Sequence, residues 1–331
     1  MSNFLEVKNL TKHFPIHGGI LFKELAKVYA LNGVSFKVNQ GETIGVVGES
    51  GCGKSTLGKT LLNLYSPTDG SVEFNGKKIY ELDKNEMMLA RREFQMIFQD
   101  PYESLNPKHT VRKILSEPFK IHKIGNSESI LEEIKKLLNR VGLPESALSK
   151  YPHEFSGGQR QRIGIARAIA LKPKLIVCDE AVSALDVSVQ SQVLNLLMDL
   201  QKEMNLTYIF IAHDLSVVKH ISDRIMVMYL GNIVELANAE DIYKRSLHPY
   251  TQTLINSIPI PDPSKRIEDI EVIEGEIPSP RNPPSGCAFH TRCPFANDKC
   301  RSESPSLSES HIDSNHLIAC HHEEDIFNKQ K

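Results

Sequence analysis

The sequence predicts an α/β fold with a parallel β core, an antiparallel β subdomain, an inserted helical subdomain and a Pro/Cys-rich C-terminal extension. Continuous apolar runs end at Val47, Val177 and Ile211, as expected for parallel strands covered on both faces. Alternating runs at residues 34–38 and 71–74 indicate half-exposed antiparallel strands. Together the two patterns predict two sheets of different kind.

Helical spacing of apolar residues predicts the inserted subdomain. It is seen between residues 130 and 141, and Pro144 and Pro152 close that region. We therefore place a helical subdomain at about 101–165. A long helix should follow Asp186, with one apolar face buried. That face consists of Val189, Val193, Leu196, Leu197 and Leu200.

Composition changes abruptly near His248. Ten of the 18 prolines lie at or after Pro249, so we do not expect this segment to continue the helix-and-sheet core. The predicted domains are therefore residues 1–250 and an extension, residues 251–331. No internal repeat is visible, which indicates one such unit and not a fused pair.

Length and composition are those of an ordinary globular protein. The 331 residues are 40% hydrophobic and 24% charged, and the formal net charge is −2. This balance exerts no global attraction on nucleic acid or anionic lipid. No stretch approaches the roughly 18 consecutive apolar residues that cross a bilayer, and the N-terminus does not resemble a secretion signal. We expect a cytoplasmic protein that reaches a membrane only through partners.

Residues 48–55 read Gly-Glu-Ser-Gly-Cys-Gly-Lys-Ser, a complete phosphate-binding P-loop between the strand that ends at Val47 and a helix. The glycines let consecutive N–H groups point at one anion, and the helix dipole adds positive potential. Lys54 is predicted to reach the β- and γ-phosphates of a nucleoside triphosphate, and the Ser55 hydroxyl to bind Mg²⁺. The predicted nucleotide-binding residues are Gly48, Ser50, Gly51, Cys52, Gly53, Lys54, Ser55 and Thr56.

Further motifs indicate the kind of P-loop protein, which the P-loop alone does not define. Gln99 ends a strand, residues 155–162 contain a Ser-Gly-Gly-Gln turn, and residues 175–180 form an apolar strand ending in Asp-Glu. Asp186 follows shortly afterwards, and His213 ends a third apolar strand. In this order and spacing the motifs resemble those of the ATP-binding cassette (ABC) family.

The resemblance covers almost the whole first domain and implies a RecA-like P-loop core that binds ATP and Mg²⁺. It implies that Asp179 holds Mg²⁺ through a water and that Glu180 is the general base. It places His213 on the γ-phosphate, and Gln99 beside Mg²⁺ and the attacking water. Ala181 departs from the proline usual in the family, so we expect a less rigid turn with the carboxylate retained.

The family arrangement also implies that two cassettes meet head to tail and cover each other's ATP. The signature turn would then contact ATP bound to the partner; its residues are Ser156, Gly157, Gly158 and Gln159. Asp186 should line the seam between the cassettes. Phe14 is the expected adenine-stacking aromatic, with Tyr29 as the competing choice and a core role as the alternative for Phe14.

Within the ABC family the sequence favours a transport subunit. DNA-repair members carry long coiled-coil insertions between P-loop and signature, whereas about 100 residues intervene here. Translation-factor members are tandem cassettes, which this length excludes. Five segments resemble the second ATPase subunit of dipeptide and oligopeptide importers (the OppF/DppF type). They are residues 10–15, 98–107, 177–188, 248–251 and 286–294.

This resemblance implies a set of partners. They are a sister ATPase that forms a heterodimer, two membrane permeases and an extracytoplasmic solute-binding protein. The chain would lie at the cytoplasmic face of the membrane, without nucleic acid and without touching the cargo. Nickel and other small solutes are the alternative cargoes, and a soluble ABC ATPase acting in regulation or on nucleic acid is the alternative class.

Four of the six cysteines lie in the extension, separated by five, six and nineteen residues: Cys287, Cys293, Cys300 and Cys320. The cytosol disfavours disulfides, and the close pair usual in zinc fingers is absent. A [4Fe–4S] cluster suits four thiolates better, and the resemblance supports it. Zinc with nearby histidines and four unligated thiols stay open. Those histidines are His290, His311, His316, His321 and His322.

Overall fold

The structure is a computed structural model that describes residues 4–18, 23–100, 104–258 and 275–329. Residues 101–103, within the importer-like segment that follows Phe98, lie outside the described residues. So do residues 259–274 of the predicted extension.

Twelve strands occur in the described residues. They are β1 (Leu5–Gly18), β2 (Lys23–Val38), β3 (Thr43–Val47), β4 (Asp69–Phe74), β5 (Lys77–Lys78), β6 (Phe94–Ile97), β7 (Leu175–Asp179), β8 (Thr207–Ile211), β9 (Arg224–Tyr229), β10 (Asn232–Asn238), β11 (Ser308–Glu309) and β12 (Leu317–Ile318). Strands β2-β1-β4-β5 form an antiparallel sheet, and the other eight lie in the order β11-β12-β10-β9-β3-β8-β7-β6. The five strands from β9 to β6 are mutually parallel.

Eleven α-helices occur in the same residues. They are α1 (Lys54–Leu61), α2 (Lys84–Ala90), α3 (Val111–Ile121), α4 (Ser127–Arg140), α5 (Gly157–Ile169), α6 (Val187–Met204), α7 (Leu215–Ile221), α8 (Ala239–Arg245), α9 (Pro249–Asn256), α10 (Asp298–Ser302) and α11 (Glu323–Lys329). None of these described helices has the length and apolar character needed to cross a membrane.

The parallel strands are buried on both faces. Every residue of β3, β7 and β8 is buried, as their continuous apolar runs predict. Alternate side chains enter two separate hydrophobic clusters, because successive residues of a strand point to opposite faces. Ile176 and Phe210 pack with helices α3 to α6, whereas Val177 and Ile209 pack with the antiparallel sheet and α1.

Among the described residues, the α-helices α3 to α5 lie between β6 and β7. The residues at helical spacing fall on α4, where Ile134, Leu137 and Leu138 are buried. The long helix expected after Asp186 is α6, which buries its apolar side through Val193 and neighbouring residues. These helices carry the signature turn and the segment after Asp186 to one side of the sheet.

The extension joins the main sheet, contrary to the expectation from its prolines. Strand β12 pairs with β10 in the register Glu235↔Ile318, and β11 pairs with β12. Both short strands lie beyond Pro305, the last proline of the chain, so every residue in them can donate a ladder hydrogen bond. The extension is therefore part of the structure that carries the site.

A buried carboxylate fastens this junction. Glu235 accepts hydrogen bonds from the backbone N–H groups of Leu247, at 2.6 Å, and His248, at 3.2 Å. Its Oε1 also lies 2.6 Å from His316 Nε2, and both side chains are at most 1% exposed. Glu235 thus joins the core sheet, the start of α9 and the C-terminal extension.

Candidate active site

The parallel strands bring the predicted catalytic residues to one edge of the sheet. The registers Ile97↔Cys178 and Asp179↔Ile211 align the carboxyl ends of β6, β7 and β8. The P-loop leaves the next strand, β3, at the same edge, because Val46 pairs with Ile211. Chain segments far apart in sequence therefore meet where ligands bind in open α/β sheets.

The P-loop fits closely against the backbone of its neighbours. Gly48 and Gly53 have φ values of 151° and 109°, which L side chains rarely adopt. A Cβ at Gly48 would lie 2.2 Å from the Met228 carbonyl oxygen, and one at Gly53 would lie 2.3 Å from that of Ala30. Only glycine fits at either position, so the two residues fix the path of the loop.

Lys54 lies inside this loop at the N-terminus of α1. Its side chain is buried, and Nζ donates hydrogen bonds to the carbonyl oxygens of Gly48, at 2.7 Å, and Glu49, at 3.0 Å. An ammonium beside free N–H groups of a helix start is suited to bind phosphate. Cys52 is also buried, and burial raises the pKa of its thiol, so this residue packs the loop in its neutral form.

Oxygen ligands suited to Mg²⁺ lie next to the loop. The Ser55 hydroxyl donates a 2.7 Å hydrogen bond to Asp179 Oδ1, and the Asp179 carboxylate is buried at the end of β7. A hydroxyl and a carboxylate this close fit Mg²⁺, which takes few protein ligands and keeps several waters. Two of the three residues predicted for Mg²⁺, Ser55 and Asp179, are thus brought together, whereas the Gln99 amide donates to Glu180.

Glu180 is held in a strained backbone conformation. Its φ is 47°, and its N–H donates to the Ile211 carbonyl oxygen at 3.0 Å. The Ser183 N–H and hydroxyl both donate to the Glu180 carbonyl oxygen, at 3.1 and 3.0 Å. Gln99 Nε2 donates to the Glu180 carboxylate at 2.7 Å. Two backbone hydrogen bonds and one from the Ser183 hydroxyl therefore anchor the turn that holds Ala181.

His213 lies at the same edge but is not joined to this pair. It is exposed two residues after Ile211, whose strand neighbour is Asp179. Within the described residues, no hydrogen bond links its ring to Glu180 or Gln99. Its predicted contact with a γ-phosphate stays a prediction.

The adenine-stacking residue is also left open. Phe14 is half-buried, with its ring edge-on to Tyr65 at 5.4 Å and the Lys12 ammonium 4.8 Å from its centroid. Tyr29 is half-buried against His13 at 4.6 Å and precedes Ala30, the neighbour of Gly53. Both side chains are half-buried, so burial does not distinguish them.

The signature turn begins α5, away from the P-loop of its own chain. Ser156 caps the helix: its Oγ accepts the Gln159 N–H at 3.4 Å, and its own N–H donates to Gln159 Oε1 at 3.1 Å. A Cβ at Gly158 would lie 2.3 Å from Val189 Cγ1, so packing against α6 also requires glycine there. Asp186 is exposed just before α6. In the part of the chain described, no hydrogen bond joins this turn to residues 48–55.

The four tail cysteines share one region. The Cys287 N–H donates to the Cys300 carbonyl oxygen at 2.8 Å. Burial raises the pKa of Cys320 to about 12, and the charges of Cys293, Cys287 and Cys300 contribute to the rise. Across residues 275–329 and the other described ranges, however, no group of three His, Cys, Asp or Glu side chains is arranged to hold a metal ion.

Sequence reasoning missed one set of contacts around the P-loop. Arg292 in the extension forms an ion pair with Glu49, and the Tyr250 hydroxyl accepts the Glu49 N–H at 2.8 Å. The partners lie more than 200 residues apart in the chain, so no local pattern signals the contact.

Known families match both parts of the chain. Residues 31–183 match the ABC transporter family, and residues 234–300 match the oligopeptide/dipeptide transporter C-terminal region. The oligopeptide transport ATP-binding protein AppF of Bacillus subtilis (strain 168) is 51% identical, over 96% of this chain and 96% of its own length. The oligopeptide transport ATP-binding protein OppF of Escherichia coli (strain K12) is 49% identical, over 96% of this chain and 95% of its own.

Solved structures agree in fold. The protein cbiO1 from Clostridium perfringens, part of the ABC transporter complex cbiONQ, superimposes with a TM-score of 0.63 and 26% identity, over 74% of this chain and 92% of that one. The dimeric ATP-binding cassette MJ0796, bound to ADP and Pi, superimposes with a TM-score of 0.62 and 28% identity, over 71% of this chain and 98% of that one.

The fold and the site together define an ATP-binding cassette protein, and the predicted α/β class with a RecA-like P-loop core is confirmed. About half of the residues are identical to those of AppF and OppF over 96% of the chain. The chain therefore belongs to the family of oligopeptide transport ATP-binding proteins. The predicted enzyme class, an ATPase coupled to transport, is confirmed at the same time.

Proposed function

We propose that this chain is the subunit whose ATP hydrolysis energises an importer of dipeptides and oligopeptides. The proposal rests on the presence of two parts in one chain. One is an ATP site, and the other is a C-terminal part that matches the corresponding region of oligopeptide/dipeptide transporters. The strands of the extension lie in the sheet that holds the P-loop, so both parts form one folded unit.

Each site residue has a distinct role in the proposed reaction. Lys54 would leave its two carbonyl partners for the phosphates, and Ser55 and Asp179 would hold Mg²⁺, which would supply positive charge beside the phosphates. Glu180 accepts a proton from the attacking water, and the Gln99 amide orients the Glu180 carboxylate.

A second cassette completes the site in this proposal. Ser156 and Gly158 would reach ATP bound to the partner. This is supported by the lack of a hydrogen bond, among the described residues, between them and their own P-loop, and by the dimeric state named for MJ0796. The exposed Asp186 and Val187, which is 80% exposed, would lie at the seam. The second cassette would be a sister ATPase in a heterodimer.

The chain would act at the cytoplasmic face of the membrane, bound to two permease subunits that receive cargo from an extracytoplasmic solute-binding protein. The absence of a spanning helix among the described residues agrees with a peripheral subunit. Cargo would contact the permeases and the solute-binding protein but not this chain.

Uptake of labelled di- and oligopeptides tests the cargo, with nickel measured in parallel. The host lacks the gene for this subunit and is complemented with the wild-type chain. Peptide uptake that returns only on complementation is the expected result. Nickel uptake that depends on the subunit, with peptide uptake independent of it, would contradict the peptide assignment.

We also propose that Cys287, Cys293, Cys300 and Cys320 bind a [4Fe–4S] cluster. The hydrogen bond from the Cys287 N–H to the Cys300 carbonyl oxygen, which brings two of them together, supports the proposal, although the thiols of the described residues are not arranged as a metal site. Anaerobic purification followed by iron and sulfide analysis tests this. About four of each per chain is expected; zinc without sulfide would indicate the alternative metal, and no metal would indicate free thiols.

A further inference from the structure

The C-terminal extension contacts the P-loop through one ion pair. Arg292 Nη1 and Nη2 donate to Glu49 Oε2 and Oε1 at 2.9 and 3.1 Å, a two-point arrangement that fixes both planar groups. We propose that Arg292 is a positioning residue of the ATP site, which neutralises Glu49 and keeps its carboxylate away from Lys54 and the phosphates. The inference rests on ATP binding by this chain and not on the identity of the cargo.

Arg292 is held firmly for this purpose. Its side chain is only 8% exposed, and its guanidinium lies 5.9 Å from the ring centroids of both Tyr229 and Phe289. These two rings pack edge to face at 5.1 Å, and Tyr250 lies against each of them. Arg292 therefore contacts Glu49 from a buried position beside packed aromatic rings.

Glu49 is fixed in its main chain as well. Its N–H donates to the Tyr250 hydroxyl, and its carbonyl oxygen accepts from Lys54 Nζ. Tyr250 is in turn oriented by His248, whose Nδ1 accepts the Tyr250 N–H at 3.1 Å. Burial lowers the pKa of His248 to about 4, so its ring is neutral and can accept this bond. The Glu49 N–H is thus bonded to Tyr250 and does not point at phosphate.

The charge of Glu49 makes Arg292 necessary. Glu49 directly follows Gly48, whose carbonyl oxygen accepts a hydrogen bond from Lys54 Nζ, so its negative charge belongs to the loop that must hold a triphosphate. A carboxylate without a partner repels phosphate oxygens and competes for the Lys54 ammonium. Pairing with Arg292 removes both effects while the loop backbone keeps its conformation.

Equilibrium binding of labelled Mg·ATP to the purified full-length chain tests the inference. Arg292→Gln is expected to weaken binding about tenfold at low salt, and adding Glu49→Gln to it should restore most of that loss. The loss should shrink at high salt, because ions screen a charge repulsion but not a packing defect. Arg301→Gln is the matched control, since Arg301 is in the same extension, 66% exposed and 3.9 Å from Asp298.

Two results would overturn the inference: binding by Arg292→Gln equal to that of the control, or a double variant as weak as the single one. Arg292→Lys keeps the charge and guards against misfolding of the glutamine variant. It keeps the charge but not the two-point contact, so it should recover part of the binding lost in Arg292→Gln. No recovery, together with a loss that does not change with salt, would exclude a charge-based role. If the wild-type chain bound no ATP, the failure would lie with the ATP site and not with Arg292.

Discussion

Replacing Glu180 by glutamine is expected to lower the rate of ATP hydrolysis about 10²- to 10⁴-fold. The amide keeps the size of the side chain and can still contact Gln99, but it cannot accept a proton from water. The Lys54 and Ser55 contacts are unaffected, so the affinity for Mg·ATP should change little. Phosphate release and nucleotide binding, measured on the same purified sample, check both halves of the expectation.

Glu240→Gln is a suitable control for this variant. Glu240 lies on α8, is 79% exposed and pairs only with Lys244 in the described structure, so its loss should leave hydrolysis unchanged. Hydrolysis by Glu180→Gln at the control rate would show that another group accepts the proton. Loss of ATP binding together with hydrolysis would assign Glu180 to binding and not to base catalysis.

Replacing His316 by alanine is expected to reduce the free energy of unfolding by about 2 kcal/mol, because a buried polar group loses a hydrogen-bond partner. Glu235 would remain buried and lose the ring that lies 2.6 Å from its Oε1. The buried junction between the extension and β10 would also lose packing. Chemical denaturation measures the stability, and limited proteolysis reports whether the extension is released first.

His311→Ala provides the comparison, because His311 lies five residues earlier in the same segment but is exposed. A change of less than about 0.5 kcal/mol is expected for it, as for most surface substitutions. Equal stability of the two variants would mean that the contact between His316 and Glu235 contributes nothing to holding the extension.

Most residues of the candidate site could be predicted from local patterns in the sequence. Buried parallel strands consist of continuous apolar residues, so β3, β7 and β8 could be predicted from the sequence. The residues that follow such strands must share one edge of the sheet, which is why Gln99 and Glu180 could be expected together. Their 2.7 Å contact and that between Ser55 and Asp179 follow from strand order.

Contacts between distant segments could not be predicted in this way. Arg292 and Glu49 are 243 residues apart, and a lone arginine among cysteines gives no periodic signal. The density of prolines in the extension also concealed β11 and β12, whose four residues form too short a pattern to recognise. Likewise, no local pattern links Glu235 to His316, which is 81 residues later in the chain.

Peptide dependence of ATP hydrolysis tests the central claim most directly. The measurement is the rate of phosphate release by the complete transporter in liposomes, with its solute-binding protein, in the presence and absence of oligopeptide. We expect peptide to raise the rate of phosphate release by the transporter with the wild-type chain. With Glu180→Gln, the part of that rate that comes from hydrolysis by this chain should disappear. An identical rate with and without peptide would contradict the claim that hydrolysis by this chain energises peptide import.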